Sequence, residues 1–105
     1  MKIALDAMGG DKAPVGIVEG AFEAAREASD RVEVVLVGKR DILEAYIKAQ
    51  GLEASNVEIV DAPEVVEMSE SPATAIRRKR ASSIAVGMNL HREGKVKAFV
   101  RAGNT

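Results

Sequence analysis

Two adjacent glycines between aspartates follow the first apolar run of the chain, in "LDAMGGDKAP" at residues 5–14. A strand-to-helix connection needs at most one glycine. Each extra glycine adds freedom that folding must remove, at about 0.5–1 kcal/mol relative to alanine in regular structure. A ligand brought against bare backbone offsets that cost; a tight turn with close helix packing is the structural alternative. Glycine and small residues let backbone N–H groups approach an anion, and the next helix adds its positive end. Asp6 and Asp11 would repel a phosphate if they pointed at it. They are better suited to accepting backbone hydrogen bonds, capping the helix or holding a basic side chain. The spacing excludes nucleotide fingerprints: Gly9, Gly10, Gly16 and Gly20 do not form Gly-x-Gly-x-x-Gly, and no Gly-Lys-Ser/Thr loop is present.

The second unusual stretch is "AIRRKRASS" at residues 75–83. At helical spacing Ala73 and Ile76 face a core, while Arg77, Arg78, Lys79 and Arg80 sweep most of a turn. Consecutive cations repel one another, so some of them should meet anions or acidic side chains. Nucleic-acid binding would require a wider basic surface with stacking aromatics. The formal net charge is -1, and the aromatics are Phe22, Tyr46 and Phe99, each suited to a core. That partner is excluded. His91 stands in the last turn before Gly94, where a cation suits the negative end of a helix. Ser82 and Ser83 lack a nucleophile-elbow pattern, and there is no cysteine. Neither a catalytic triad nor a metal-ligand cluster can be assembled from these residues.

These residues must be placed by a scaffold, and the apolar pattern describes one. Lys2–Leu5, Val32–Val37, Val57–Val60 and Lys97–Arg101 read as buried strands, because they are apolar runs without alternation. Ile17, Val18, Ala21, Phe22, Ala25 and Ala28 form a helical stripe after Pro14, with Asp11 in the capping region. Ile42, Leu43, Tyr46 and Ile47 form a second stripe that Gly51 terminates. A third helix is expected from Ser71-Pro72, kinked near Ser82-Ser83 and running to about Glu93. Strand and helix alternate, so the fold class is α/β, a mainly parallel sheet with helices on both faces. Ligands of such sheets bind beyond the carboxyl ends of the strands, at a topological switch point. Three unusual loops fall there: residues 6–11, "DAPEVVEMSESP" at 61–72 and "RAGNT" at 101–105.

With 105 residues and 47% apolar content, the chain has material for one small domain. Met1 leads directly into the first strand with no apolar leader, which reads as a soluble cytoplasmic protein. "RAGNT" is the opening of a strand-to-helix loop, so residues 1–105 are expected to be the amino-terminal part of a larger protein with an incomplete sheet.

Taken together, "IALDAMGGDKAP", "ESPATAIRRKRASSIAVGMNLHREGKVKAFV" and "AGNT" closely resemble the bacterial phosphate acyltransferases of phospholipid synthesis. The resemblance runs through essentially the whole chain. It implies a fold related to phosphotransacetylases and isocitrate-type dehydrogenases, with the site in a cleft between two lobes. It also implies an activity, in which inorganic phosphate attacks the thioester of a long-chain acyl-acyl-carrier protein to give acyl phosphate. A cytoplasmic homodimer, peripherally associated with the membrane and free of cofactors, is implied as well. Mapped onto that reaction, Gly9, Gly10, Gly103, Asn104 and Thr105 are expected to line the phosphate and carbonyl pocket, beside Asp6 and Asp11. Asn104 and Thr105 would donate side-chain hydrogen bonds, and Lys79, with Arg77 and Arg78, would offset charge or dock the acidic carrier. One departure is visible: Arg101 stands where the family usually has a small residue, often serine. Two other readings remain open at this point. One is a non-catalytic α/β module that binds a phosphorylated metabolite; the other is a nicotinamide-dependent dehydrogenase of the related fold.

Overall fold

The structure, a computed structural model, describes residues 1–9, 14–66 and 70–101. In chain order the elements are β1 (Lys2–Asp6), α1 (Val15–Ala28), a short 3-10 turn (Ser29–Arg31), β2 (Glu33–Gly38), α2 (Arg40–Gln50), β3 (Val57–Asp61), α3 (Pro72–Arg78), α4 (Ser83–Arg92) and β4 (Ala98–Val100). The four strands form one parallel sheet in the order β3-β2-β1-β4. Lys2 pairs with Glu33, and Asp6 with Val37; on the other side Ile3 pairs with Ala98, and Leu5 with Val100.

The order explains the layers. The chain steps outward from β1 to β2 and β3, then returns past β1 to place β4 on its other side. Right-handed crossovers in opposite directions put their helices on opposite faces. Val34 and Leu36 of β2 pack with Val18, Phe22 and Ala25 of α1 and Leu43 of α2. Their neighbours Val35 and Val37 point the other way, to Ala4, Val86 and Leu90. A strand buried on both faces cannot alternate polar with apolar, which is why "VEVVLV" is a run.

The expected strands and the first two helices are all present, with ends shifted by a residue or two. The α1 stripe buries Val18, Ala21, Phe22 and Ala25. Pro14 lies just before the first helical residue rather than inside the first turn, and its carbonyl accepts from Val18 N–H at 2.9 Å. Asp11, its expected cap, lies outside the described residues. In α2 only Leu43 is fully buried, and Ile42 turns out to be exposed. Gly51 ends α2 in the left-handed region at φ 64°.

The expected single kinked helix is in fact two helices. Lys79 leaves helical geometry at φ -114° and ψ 74°, and Ser82 is extended at φ -78° and ψ 158°. Ser82 is fully buried, and its hydroxyl donates to the Lys79 carbonyl at 2.7 Å and accepts from Ala85 N–H at 3.3 Å. A buried serine in that position closes one helix and opens the next. The core-facing residue of α3 is also corrected: Ala75 is buried, Ile76 is half-buried and Ala73 is exposed.

On the second face α4 lies close over β4. A Cβ on Gly87 would clash with Cε1 and Cζ of the Phe99 ring and stand 2.6 Å from its Cδ1. Gly87→Ala gains about 1 kcal/mol of helix propensity but forces the ring aside, an overpacking cost of about 1–3 kcal/mol. A net loss of stability is expected, read as a lower denaturation midpoint.

Candidate functional site

β1 and β4 are adjacent parallel strands on either side of the point where the strand order reverses, so their carboxyl ends flank the crevice position of such a sheet. Asp6 is the last residue of β1, and Arg101 follows β4 directly. Asp6 is 2% exposed. Its Oδ1 accepts from Met8 N–H at 2.9 Å, and its Oδ2 accepts from Arg101 Nε at 3.2 Å. A buried carboxylate is costly unless it is paired and hydrogen-bonded, and both of its oxygens are occupied here. Asp6 therefore does what its residue type suggested: it takes a backbone N–H and holds a basic side chain.

Gly9 completes the cluster. A Cβ there would stand 3.1 Å from Asp6 Oδ2, 3.3 Å from Asp6 Cγ and 3.4 Å from Arg101 Cγ. The ion pair thus packs tightly against Gly9, and a side chain there would need the carboxylate to shift by a few tenths of an ångström. Gly9, Asp6 and Arg101 share one edge of the molecule, while Gly10, Asp11, Gly103, Asn104 and Thr105 lie outside the described residues. Arg101 stood out in the sequence only as a departure from a resemblance. An acidic residue ending one strand and a basic one following another was the signal for their pairing, but it becomes readable only once β1 and β4 are known to be neighbours.

The basic run divides. Lys79 Nζ contacts Glu70 Oε1 at 2.5 Å and the Val65 carbonyl at 2.7 Å. It anchors the connection after β3 to the corner between α3 and α4. Glu64 reinforces that corner by accepting from Ala81 N–H at 2.8 Å and donating its own N–H to the Ala81 carbonyl at 3.1 Å. Arg77, Arg78 and Arg80 are exposed. Among the described residues, no hydrogen bond or ion pair joins Arg77, Arg78 or Lys79 to Asp6, Gly9 or Arg101. His91 is exposed in the last turn of α4, as its position implied.

Below the crevice, a groove of about 380 Å³ runs between α1 and the β1–β4 side of the sheet. Ile3, Leu5, Ile17, Gly20 and Val100 line it, and it reaches Asp6. The opposite end of the sheet is tied by charge. Lys2 lies 3.0 Å from Glu58 and 3.7 Å from Glu33. Glu58, first through its hydrogen bond and then through its charge, raises the pKa of the Lys2 ammonium. Among the described residues, no group of three His, Cys, Asp or Glu side chains is placed to hold a metal. No helix among them is long and apolar enough to cross a membrane.

A parallel sheet with its crevice at the β1–β4 switch point agrees with the family that the motifs resemble. Residues 1–105 match the family model described as fatty acid synthesis protein. The chain belongs to that family. Among curated members, it is 50% identical over 106 residues to a phosphate acyltransferase of Heliobacterium modesticaldum, which covers 100% of this chain and 31% of that protein. A phosphate acyltransferase of Dictyoglomus thermophilum is 50% identical over 105 residues, with the same coverage. One from Koribacter versatilis is 50% identical over 104 residues, 98% of this chain and 28% of that protein. The chain therefore spans under a third of the length of these fatty acid synthesis proteins.

The packing of Gly9 on the ion pair is open to direct measurement. Gly9→Ala is expected to push the Asp6 carboxylate off Arg101 and lower stability by about 1–3 kcal/mol, read from the denaturant midpoint.

Proposed function

We propose that this chain is the amino-terminal part of an acyltransferase that moves a long-chain acyl group from acyl-acyl-carrier protein to inorganic phosphate. The product, acyl phosphate, feeds phospholipid synthesis. What carries the reading is the 50% identity, across the whole chain, to proteins named phosphate acyltransferase. The crevice that Asp6, Gly9 and Arg101 border is a suitable place for an anion.

The chemistry suits a chain with no nucleophilic triad. A phosphate oxygen attacks the thioester carbonyl carbon, the C–S bond breaks, and the carrier leaves as its thiolate. Phosphate is itself the nucleophile, so no serine or cysteine of the protein is acylated. The protein's tasks are to orient phosphate against the carbonyl and to stabilise the oxyanion that develops. Backbone N–H groups at Gly9, Gly10 and Gly103 and side-chain donors at Asn104 and Thr105 are assigned to those tasks, with Asp11 at the rim. Neither task calls for a metal or an organic cofactor. Lys79 is assigned a more distant electrostatic role, through the corner it holds with Glu70. The exposed Arg77 and Arg78 are assigned to the acidic carrier protein. A homodimer working in the cytoplasm at the membrane periphery completes the proposal, on the strength of the family resemblance.

The decisive experiment incubates the complete protein with a long-chain acyl-acyl-carrier protein and follows release of the carrier thiol. Release that depends on inorganic phosphate is expected, and its absence would overturn the reading. Asn104→Ala removes one oxyanion donor and is expected to lower kcat by roughly two to three decades. Arg78→Glu is expected to weaken carrier binding, with the difference fading at high salt; a titration at two ionic strengths checks it.

A further inference from the structure

We infer that Arg101 is a phosphate-binding residue of this protein and that Asp6 is the positioning residue that aims it. The inference deepens the proposed acyl transfer and rests on it.

A guanidinium carries five N–H donors in one rigid plane. Asp6 engages only Nε, at 3.2 Å, so four donors on the two Nη atoms remain. Among the described residues these Nη donors have no partner. The Arg101 side chain is 34% exposed while that of Asp6 is 2% exposed, so the pair is anchored at one end and open at the other. Both Asp6 oxygens are engaged, one by Met8 N–H and one by Arg101. The carboxylate thus sits behind the guanidinium, where its repulsion of an incoming anion is offset by the nearer cation.

Fixing Nε also fixes the plane of the fork. A phosphate accepts two parallel N–H bonds from such a fork with defined geometry, which a lysine cannot offer. Gly9 packs beside the same pair and keeps this wall of the crevice free of any side chain of its own. Asp6 and Arg101 are 95 residues apart in sequence. Only the β1–β4 pairing brings them together, at the position where an α/β sheet takes its ligand.

The test uses the complete protein with inorganic phosphate as the varied substrate. Arg101→Ser, which removes the guanidinium, is expected to raise the KM for phosphate roughly 10- to 100-fold. The KM for the acyl carrier should stay within about twofold of the parent. Asp6→Asn is expected to raise the phosphate KM as well. The double variant should be no worse than Arg101→Ser alone, because a residue that acts only through Arg101 has nothing left to aim. An unchanged phosphate KM in folded Arg101→Ser overturns the inference, as does additivity of the two substitutions. Should Arg101→Ser fail to fold, Arg101→Lys decides: it keeps the charge but loses the fork, so a raised phosphate KM supports the inference and an unchanged one overturns it. A parent protein without phosphate-dependent thiol release would sink the acyl-transfer reading instead. Calorimetric titration with phosphate then decides the inference alone: weaker binding by Arg101→Ser supports it, and equal binding ends it.

Discussion

A carboxylate almost out of contact with water, at the end of one of the two inner strands, constrains everything around it. Asp6 is stable there because a backbone N–H of its own loop and a guanidinium from across the sheet each take one oxygen. The first bond dictates the turn that follows β1. The second requires β4 to lie beside β1 in a register that delivers Arg101 to the same edge. Gly9 suits the position beside it, because the ion pair crowds the space a side chain would take. Loop geometry, strand order and residue choice at the crevice are consequences of one buried charge.

Much of this fold was legible without coordinates, for a reason visible in particular strands. "VEVVLV" is buried on both faces, and only a sheet sandwiched between helices accommodates that. Stripes on α1 and α2 were readable because each helix has one solvent face. The corner after α3 was not. A run such as "AIRRKRASSIAVG" suits a continuous helix by local propensity, and the break depends on a buried hydroxyl at Ser82 that closes one helix and caps the next. Ala75 takes the core-facing place expected of Ala73 for the same reason, since a helix of seven residues packs by where its ends are held. At the site, residue types pointed to an anion near "DAMGGD", yet Arg101 could not be joined to Asp6 before strand order was known. The glycine motif had a second cause that spacing could not reveal, namely the packing of Gly9 against that pair.

The basic run illustrates how similar side chains divide their work. Lys79 is half-buried and directs its charge to Glu70 and a carbonyl, holding a corner together. Its neighbours Arg77, Arg78 and Arg80 remain outside. A compact ammonium suits the confined position, where it reaches a carboxylate and a carbonyl at once, while planar forks suit recognition of carboxylates and phosphates at a surface. The cationic surface of α3 and the crevice at β1 and β4 are therefore separate features, linked through the scaffold rather than through direct contact.

The two borders of the sheet are treated unequally. Along β3, the Arg40 guanidinium donates to the outward carbonyl of Ile59 at 2.8 Å, and Arg40 N–H binds the Asp61 carboxylate at 3.0 Å. Those bonds blunt the ladder on that flank. Along β4, no described residue does the same, and Val100 is half exposed. Of the two flanks, as far as the described residues go, that of β4 is the one whose outward ladder groups stay open to a further strand, which gives the sheet a direction of growth. An uncovered flank of that kind, beside the crevice, is also where self-association of the chain would begin.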